Sequence, residues 1–254
     1  MTVPVPVTVT VPTITELALL AAWEAGYGRT TADRAVVLAA LSSGLPADEV
    51  ADLPLGQCDL LVLRLRELSF GSRMDALAEC PGCGAELDVV VDTSELICRT
   101  TMACHPAARH PLEVGDRAVV VRPLTVGDLL AGSADRAGLL ARCVTASPAA
   151  EAAQPVPLPA ELLAEPAFLD AIEAELDLLD PQAAAGIDLD CPDCGASWQA
   201  AADVTEFVWS EVDRFARRLL LDVHALASAY GWTEADVLAV SPARRRFYLQ
   251  ECAP

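Results

Sequence analysis

The chain has 254 residues, of which 53% are apolar and 5% aromatic, and its 37 acidic and 17 basic side chains give a formal net charge of −20. This length suits one large domain or two small ones, and the apolar content excludes a chain that is disordered throughout. The acidic balance argues against a nucleic-acid-binding protein, because it repels phosphate backbones. It favours a highly soluble protein or one that docks to a basic partner surface.

The first twelve residues alternate valine with threonine or proline and lack a cationic start. No secretion signal is therefore predicted, and the segment is interpreted as an extended arm that pairs with a sheet edge or as a flexible terminus. The longest unbroken apolar run, Ala35 to Leu41, is too short to span a membrane. Nine cysteines without an export signal indicate reduced thiols and a metal site in a cytoplasmic protein.

Helical patterns dominate the opening third of the chain. Apolar residues recur at helical spacing from Thr13 to Ala25, and Thr13 with Glu16 matches a capping box. Two further helices are predicted at Thr31 to Leu41, closed at Gly44, and at Pro54 to Phe70. The pattern predicts a small helical bundle.

The middle of the chain mixes short strands with helices. β-Branched residues predict strands, and threonine or proline caps predict helix starts. The predicted elements are a strand at Leu87 to Val91, a strand at Ala118 to Val121, a helix at Thr125 to Val144, a Pro/Ala-rich loop at Ser147 to Pro159, and a helix at Pro159 to Leu179 interrupted at Pro166.

The last third predicts one long amphipathic helix from Thr205 to Tyr230, because its apolar residues step by three and four positions. Gly231 ends it. Two shorter helices follow at Thr233 to Val240 and Pro242 to Gln250.

An internal repeat surrounds four of the cysteines. Cys80-Pro-Gly-Cys83-Gly-Ala and Cys191-Pro-Asp-Cys194-Gly-Ala have matching flanks. Each is followed by a short strand and then by an aspartate with a glutamate three residues later, which is a helix-capping pattern. The sequence therefore predicts two copies of one unit, a cysteine knuckle and a strand.

The two knuckles together supply a complete four-thiolate site. Two thiolates separated by two residues can bind one tetrahedral ion from a tight turn, and backbone amides of the turn can stabilise their charge. The sequence predicts one structural zinc ion bound by Cys80, Cys83, Cys191 and Cys194. Because 107 residues lie between Cys83 and Cys191, the ion would join the two ends of the protein around an inserted middle.

Other interpretations of the cysteines remain open. Each knuckle could bind its own metal with Cys98, Cys104, His105 or His110 as extra ligands. The pairs could instead be redox dithiols or simple thiols, although a redox pair needs a reactive cysteine at a helix N-terminus.

Further residues attract attention without forming a site. Cys58, Cys98, Cys143 and Cys252 are interpreted as packing residues, as is His224. The run Arg244-Arg245-Arg246 is interpreted as a solvated helix face, with partner docking as the alternative. No catalytic triad spacing or phosphate-binding glycine loop is present, so the chain is predicted not to be an enzyme.

The predicted fold class is α+β, mainly α, with a helical bundle and a split four-cysteine zinc ribbon made of two knuckle-strand repeats. The predicted organisation is an arm at 1–12, an N-terminal helical region at 13–75, the first knuckle and strand at 76–100, an inserted middle at 101–185, the second knuckle and strand at 186–206, and C-terminal helices at 207–254.

The second knuckle and its continuation resemble a known family. The relevant stretches are Cys191-Pro-Asp-Cys194-Gly, Phe207-Val-Trp209-Ser-Glu211-Val-Asp213, Ala216-Arg217-Arg218-Leu219-Leu220, Val223-His224, Ala229-Tyr230-Gly231-Trp232 and Ser241-Pro242-Ala-Arg244-Arg245. They are similar to the zinc-ribbon baseplate proteins of phage-tail-like contractile injection systems, which are akin to the baseplate-hub assembly proteins of contractile-tailed bacteriophages. Leu63-Arg64 through Leu77 also fits. The resemblance covers most of residues 30–100 and 186–250 and leaves out the arm and the middle segment.

The resemblance implies a non-enzymatic role in building the baseplate of a contractile tail. Its partners would be hub, spike, tape-measure or wedge proteins, with no nucleic acid, membrane insertion or small-molecule substrate. The alternatives are a zinc-ribbon adaptor in another intracellular complex, which in transcription would need a basic face, and a CxxC thiol oxidoreductase.

Overall fold

The computed structural model describes residues 14–97, 109–133, 135–146, 158–159 and 161–252. These residues form a mixed α/β structure in which helices predominate and the sheets are small. The predicted arm at 1–12 lies outside the described residues. The finer prediction of a helical bundle with a zinc ribbon stays a prediction.

Ten helices and seven strands occur in the described ranges. The helices are α1 (Glu16–Gly26), α2 (Thr31–Ser43), α3 (Ala47–Ala51), α4 (Leu55–Phe70), α5 (Val126–Leu130), α6 (Arg136–Leu140), α7 (Pro166–Leu179), α8 (Val204–Tyr230), α9 (Glu234–Ala239) and α10 (Pro242–Cys252). The strands are β1 (Arg73–Glu79), β2 (Glu86–Asp92), β3 (His110–Val114), β4 (Arg117–Val121), β5 (Val144–Ala146), β6 (Gly186–Asp190) and β7 (Ser197–Ala201).

The N-terminal helices begin and end largely where capping chemistry predicts. In α2, Thr30 and Asp33 exchange capping hydrogen bonds, and Gly44 ends the helix with φ +74°. The predicted start of the first helix is wrong, because Thr15 rather than Thr13 caps α1 through the backbone N–H of Ala18. The short helix α3 was not predicted from the sequence.

The two ends of the chain share the largest core. Helices α1, α2 and α4 pack against the first half of α8. The antiparallel pair β1–β2 adds Met74 and Val91 to the same cluster, and the pair β6–β7 adds the partly buried Ile187. Leu38, Val62 and Val208 are fully buried there. Burial of this apolar surface therefore joins segments from both sides of the middle region.

The middle region has its own small core. Strands β3, β4 and β5 form an antiparallel sheet, and α7 packs on it through Phe168 and Ile172. The single helix predicted over Thr125 to Val144 is wrong. The chain turns at Gly132, which has φ +71°, and α6 starts afresh at its N-cap Asp135. Val144 to Ala146 then pair with β4, as β-branched residues prefer.

The long C-terminal helix is confirmed, with α8 running over 27 residues, or about 40 Å. Gly231 ends it in the left-handed conformation, with φ +69°. Its buried residues recur at spacings of three and four along one face, from Val204 to Leu226. Nowhere in the described ranges does a helix combine the length and the apolar character that a bilayer crossing demands.

The middle region docks on the N-terminal helices through close backbone contacts. The buried Asp180 carboxylate accepts a hydrogen bond of 2.9 Å from the N–H of Gly56, and Gln182 donates to the carbonyl of Leu96 over 2.9 Å. At Gly56 a Cβ would lie 2.2 Å from Asp180 Oδ1 and 2.8 Å from the backbone nitrogen of Ala183. This contact therefore requires glycine.

We expect Gly56→Ala to lower the free energy of unfolding by about 2 kcal/mol, because the new methyl group forces the Asp180 loop away from α4. In an unobstructed helix the same change is stabilising by up to about 1 kcal/mol. Urea unfolding measures the effect, with the exposed α4 substitution Arg64→Ala as the control. A stabilised Gly56→Ala variant would contradict the docking contact.

The Asp59 carboxyl on α4 is half-buried at the edge of a cleft of about 400 Å³. Burial, together with the negative charges of Asp180 and Asp203, raises the pKa of Asp59 to about 7. The unfolded chain loses this proton near pH 4, so the folded state holds an extra proton between about pH 4 and 7. The contribution of Asp59 to the free energy of unfolding therefore falls as the pH rises through that range.

Asp59→Asn is expected to remove this contribution to the pH dependence and to stabilise the protein at pH 8 by roughly 2 kcal/mol. That value is below the full equivalent of the shift because the carboxyl keeps contact with water. Chemical unfolding at pH 5 and pH 8 measures it, with the exposed Asp48→Asn as the control. Equal pH dependence in wild type and Asp59→Asn would refute the prediction.

Candidate metal centre

Each cysteine knuckle forms the turn of a β-hairpin. In the first hairpin Glu79 pairs with Glu86, and in the second Asp190 pairs with Ser197, so each turn contains six residues. The first cysteine of each knuckle donates its N–H to the alanine carbonyl five residues later, at 2.9 Å and 2.8 Å. The glycine after each second cysteine has a positive φ, +75° and +73°. The repeat predicted from the sequence is thus a structural repeat.

The structure brings the four predicted ligands together. All four sulfur atoms lie within 4.8 Å of one another. The shortest contacts cross between the knuckles, with 3.6 Å from Cys80 Sγ to Cys194 Sγ and 3.6 Å from Cys83 Sγ to Cys191 Sγ. These distances are too long for disulfide bonds. A tetrahedral ion about 2.3 Å from each thiolate would separate the sulfurs by about 3.8 Å, so the four cysteines could hold a metal ion.

Two of the four cysteines of the site are buried and two are exposed. The first cysteine of each knuckle is buried, with Cys80 1% and Cys191 2% exposed, whereas Cys83 and Cys194 are exposed. The hairpins therefore hold two sulfurs at their base and present the other two at the surface. An ion bound here would be reached from solvent, yet all four of its ligands would come from the protein.

The electrostatics of the four thiols favour a bound cation. Burial opposes ionisation of Cys80, but the N–H groups of Gly82 and Cys83 and the neighbouring sulfurs lower its pKa to about 7. At Cys83 the N–H of Ala85 favours the thiolate, yet interaction with Cys191 and the other sulfurs raises its pKa to about 12. One thiolate is therefore easily formed and further ionisation is opposed. A divalent cation removes this repulsion.

Backbone amides support the sulfur atoms, as the knuckle pattern predicts. The N–H of Gly82 points at Cys80 Sγ over 3.4 Å, and Ala85 and Ala196 donate to the second cysteine of their own knuckles. A Cβ on Gly82 would lie 3.3 Å from the Cβ of Ala196 and 3.5 Å from Cys194 Sγ. The two hairpin turns therefore pack directly against each other.

The sequence analysis missed the strand that precedes each knuckle, β1 and β6. The side chains of β1 alternate between exposed and buried or partly buried, but three of its seven residues are charged and two are alanine, a composition with low β-propensity. In β6 the alternation of Ile187 and Leu189 with aspartate was a usable signal.

The geometry bears on the rival interpretations of the cysteines. Of the extra ligands proposed for separate sites, Cys98, Cys104 and His105 lie outside the described residues, and His110 belongs to β3 of the middle sheet. The shortest sulfur contacts join opposite knuckles, as a shared site requires. A strand rather than a helix follows each knuckle, so the helix N-terminus that activates many redox cysteines does not occur at either pair.

The five residues interpreted from the sequence as packing residues have different environments. Cys58 and Cys143 are buried, and burial raises the pKa of each thiol to about 12, which suits inert packing residues. Cys252 is partly buried on α10, and Cys98 lies outside the described residues. The expectation that His224 is a packing residue is wrong, because its position on the amphipathic α8 faces solvent.

Chemically, the cluster offers four soft thiolate ligands and no vacant protein-defined position, which suits a structural ion rather than a catalytic one. No family model, no curated protein and no solved structure matches this chain.

Proposed function

We propose that Cys80, Cys83, Cys191 and Cys194 bind a single structural zinc ion. The convergence of four sulfurs within 4.8 Å carries this proposal. Tetrahedral four-thiolate sites in proteins hold zinc or iron, and zinc is the usual structural ion. Elemental analysis of the purified protein is expected to find one zinc per chain. Two zinc ions per chain would refute the shared site, and stoichiometric iron or the absence of metal would refute zinc.

We further propose that the protein is a non-enzymatic structural or assembly component of the baseplate of a contractile tail or injection system. The support is the resemblance of the second knuckle, α8 and the start of α10 to zinc-ribbon baseplate proteins. A closed metal site and a core shared by both chain ends suit a scaffold that must keep its shape. The proposed location is the cytoplasm, free or within an assembled particle.

The proposed partners are hub, spike, tape-measure or wedge proteins, and the proposal includes no nucleic acid, membrane or small-molecule substrate. Affinity purification of the tagged protein with co-expressed tail proteins tests it. We expect stoichiometric recovery of at least one baseplate protein and no recovery of the sheath protein. If no tail component is recovered and none is encoded near the gene, the baseplate role is wrong.

The same experiment tests the adaptor alternative, and a reduction assay tests the oxidoreductase alternative. An adaptor of another complex would recover subunits of that complex in stoichiometric amount. A thiol oxidoreductase would reduce disulfides once its thiols were free, and zinc would inhibit it. Insulin reduction assays with the metal-free and metal-loaded protein are expected to show no activity in either state.

A further inference from the structure

A groove on the C-terminal part of the protein lies between α8 and α10 and has a volume of about 360 Å³. Its apolar wall comes from α8, through Phe215, Leu219 and Leu221. Leu221 is 65% exposed and is therefore accessible to a partner, whereas Leu219 is 2% exposed and forms the floor of the groove. The groove is far in sequence from the cysteine knuckles and shares no residue with the metal centre.

Three arginines line the same groove, although the chain as a whole is strongly acidic. Arg245 was expected on a solvated helix face, which is wrong, because it is 4% exposed. Its Nη2 contacts both carboxylate oxygens of Glu16 at 2.8 and 2.9 Å, and its Nε lies 3.5 Å from Asp222. Its Nη1 is buried and finds no acceptor among the described residues.

The other two arginines of the groove, Arg218 and Arg246, are exposed. Within the described part of the chain neither forms an ion pair. The two carboxylates of the groove, Glu16 and Asp222, are already bound to Arg245. Burial raises the pKa of the Asp222 carboxyl and the nearby charges of Arg245 and Arg218 oppose this rise, so Arg218 already interacts with one carboxylate of the groove. Both exposed guanidinium groups keep N–H donors for a further carboxylate beside the apolar wall.

We propose that this groove docks an acidic segment of another protein, with carboxylates on Arg218 and Arg246 and an apolar side chain against Phe215 and Leu221. Guanidinium groups bind carboxylates through paired hydrogen bonds, and arginine beside apolar surface is typical of interface hot spots. A nucleic acid is disfavoured, because the net charge of −20 repels a polyphosphate at long range. The proposal goes beyond the metal-stabilised scaffold and does not depend on the baseplate role.

A synthetic peptide provides the probe. It is a blocked helical peptide of about 14 residues with glutamates and leucines on one face, and a second peptide has glutamine in place of every glutamate. Fluorescence anisotropy with the zinc-loaded full chain is expected to show binding of the acidic peptide only. Binding should weaken as salt rises, because charged contacts contribute to it.

Matched arginine pairs make the test specific. Arg218→Gln/Arg246→Gln removes the two groove guanidinium groups and should weaken peptide binding at least tenfold. Arg214→Gln/Arg244→Gln changes exposed arginines of the same two helices outside the groove lining, and should change affinity less than twofold. Circular dichroism and melting temperature confirm that both variants are folded.

Several outcomes would overturn the proposal. It is wrong if the acidic peptide fails to bind, or if both arginine pairs weaken binding equally, which would indicate general charge attraction. It is also wrong if an oligonucleotide of the same charge binds as tightly with the same dependence on Arg218 and Arg246.

Discussion

Cys194→Ser is expected to abolish stoichiometric zinc binding and to lower the free energy of unfolding of the whole chain by about 4 kcal/mol. Serine retains a hydroxyl that does not ionise near neutral pH, so the site loses one of four thiolates. The bound ion would link segments separated by 107 residues, and by analogy a disulfide closing such a loop contributes about 4–5 kcal/mol. Because both hairpins contribute to the largest core, loss of the ion is expected to destabilise the core outside the metal site as well.

The control for this prediction is Cys252→Ser, which removes a partly buried thiol on α10 away from the metal centre. We expect this variant to keep one zinc per chain and to unfold like the wild type within about 1 kcal/mol. Elemental analysis and urea unfolding, each with and without chelator, give the two readouts. If Cys194→Ser kept both its zinc and its melting temperature, the shared site would be disproved. If it lost one of two zinc ions, each knuckle would have its own metal.

The cluster of four cysteines could be predicted from the sequence because the information was local and repeated. A Cys-x-x-Cys turn constrains its own geometry, and a second copy with the same flanks indicates a common role. The pairing across the knuckles, with Cys80 nearest Cys194 and Cys83 nearest Cys191, could not be predicted. It depends on how the hairpins pack, which the small residues Gly82 and Ala196 determine through contacts distant in sequence.

The helices could be predicted where one periodic face was long, as in α8, whose bounds differ from the prediction by one residue. The structure of the region from Thr125 to Val144 could not be predicted in this way. Strong helix formers on both sides of Gly132 concealed the end of the first helix. Whether Val144 joins a helix or a strand depends on β4, because Val144 to Ala146 pair with the edge of β4 that β3 does not occupy. A local sequence pattern does not show which strand such a segment pairs with in the folded protein.

The burial of individual charged side chains was the property that could be predicted least well from the sequence. The run Arg244 to Arg246 appears uniform in sequence, yet burial separates Arg245 from its two exposed neighbours. The same holds for Arg66 on α4, which is 3% exposed although the pattern of α4 gives no sign that it differs from Arg64. Helical periodicity predicts on which face of a helix a residue lies. Only the packed structure shows whether a carboxylate lies within hydrogen-bond distance of it.

Arg66→Met is expected to lower the free energy of unfolding by about 3–5 kcal/mol, although methionine preserves much of the packing volume. Arg66 contacts Glu211 on α8 through Nε at 3.0 Å and Nη2 at 3.1 Å. It also donates to the backbone carbonyls of Gly71 and Arg73, where the chain enters β1. The substitution therefore leaves a half-buried carboxylate and two carbonyls without their donor.

Two comparisons separate this effect from a general loss of charge. Arg136 binds Glu173 and Asp170 at the surface and is 43% exposed, so Arg136→Met should cost less than about 1 kcal/mol. The double variant Arg66→Met/Glu211→Leu should recover part of the loss, because no unpaired charge remains.

Arg66→Met should also weaken zinc binding in chelator competition, although it changes no ligand, because Arg66 fixes the base of the first hairpin. Equal unfolding free energies for Arg66→Met and Arg136→Met would show that α4, α8 and the hairpin are not coupled through this side chain.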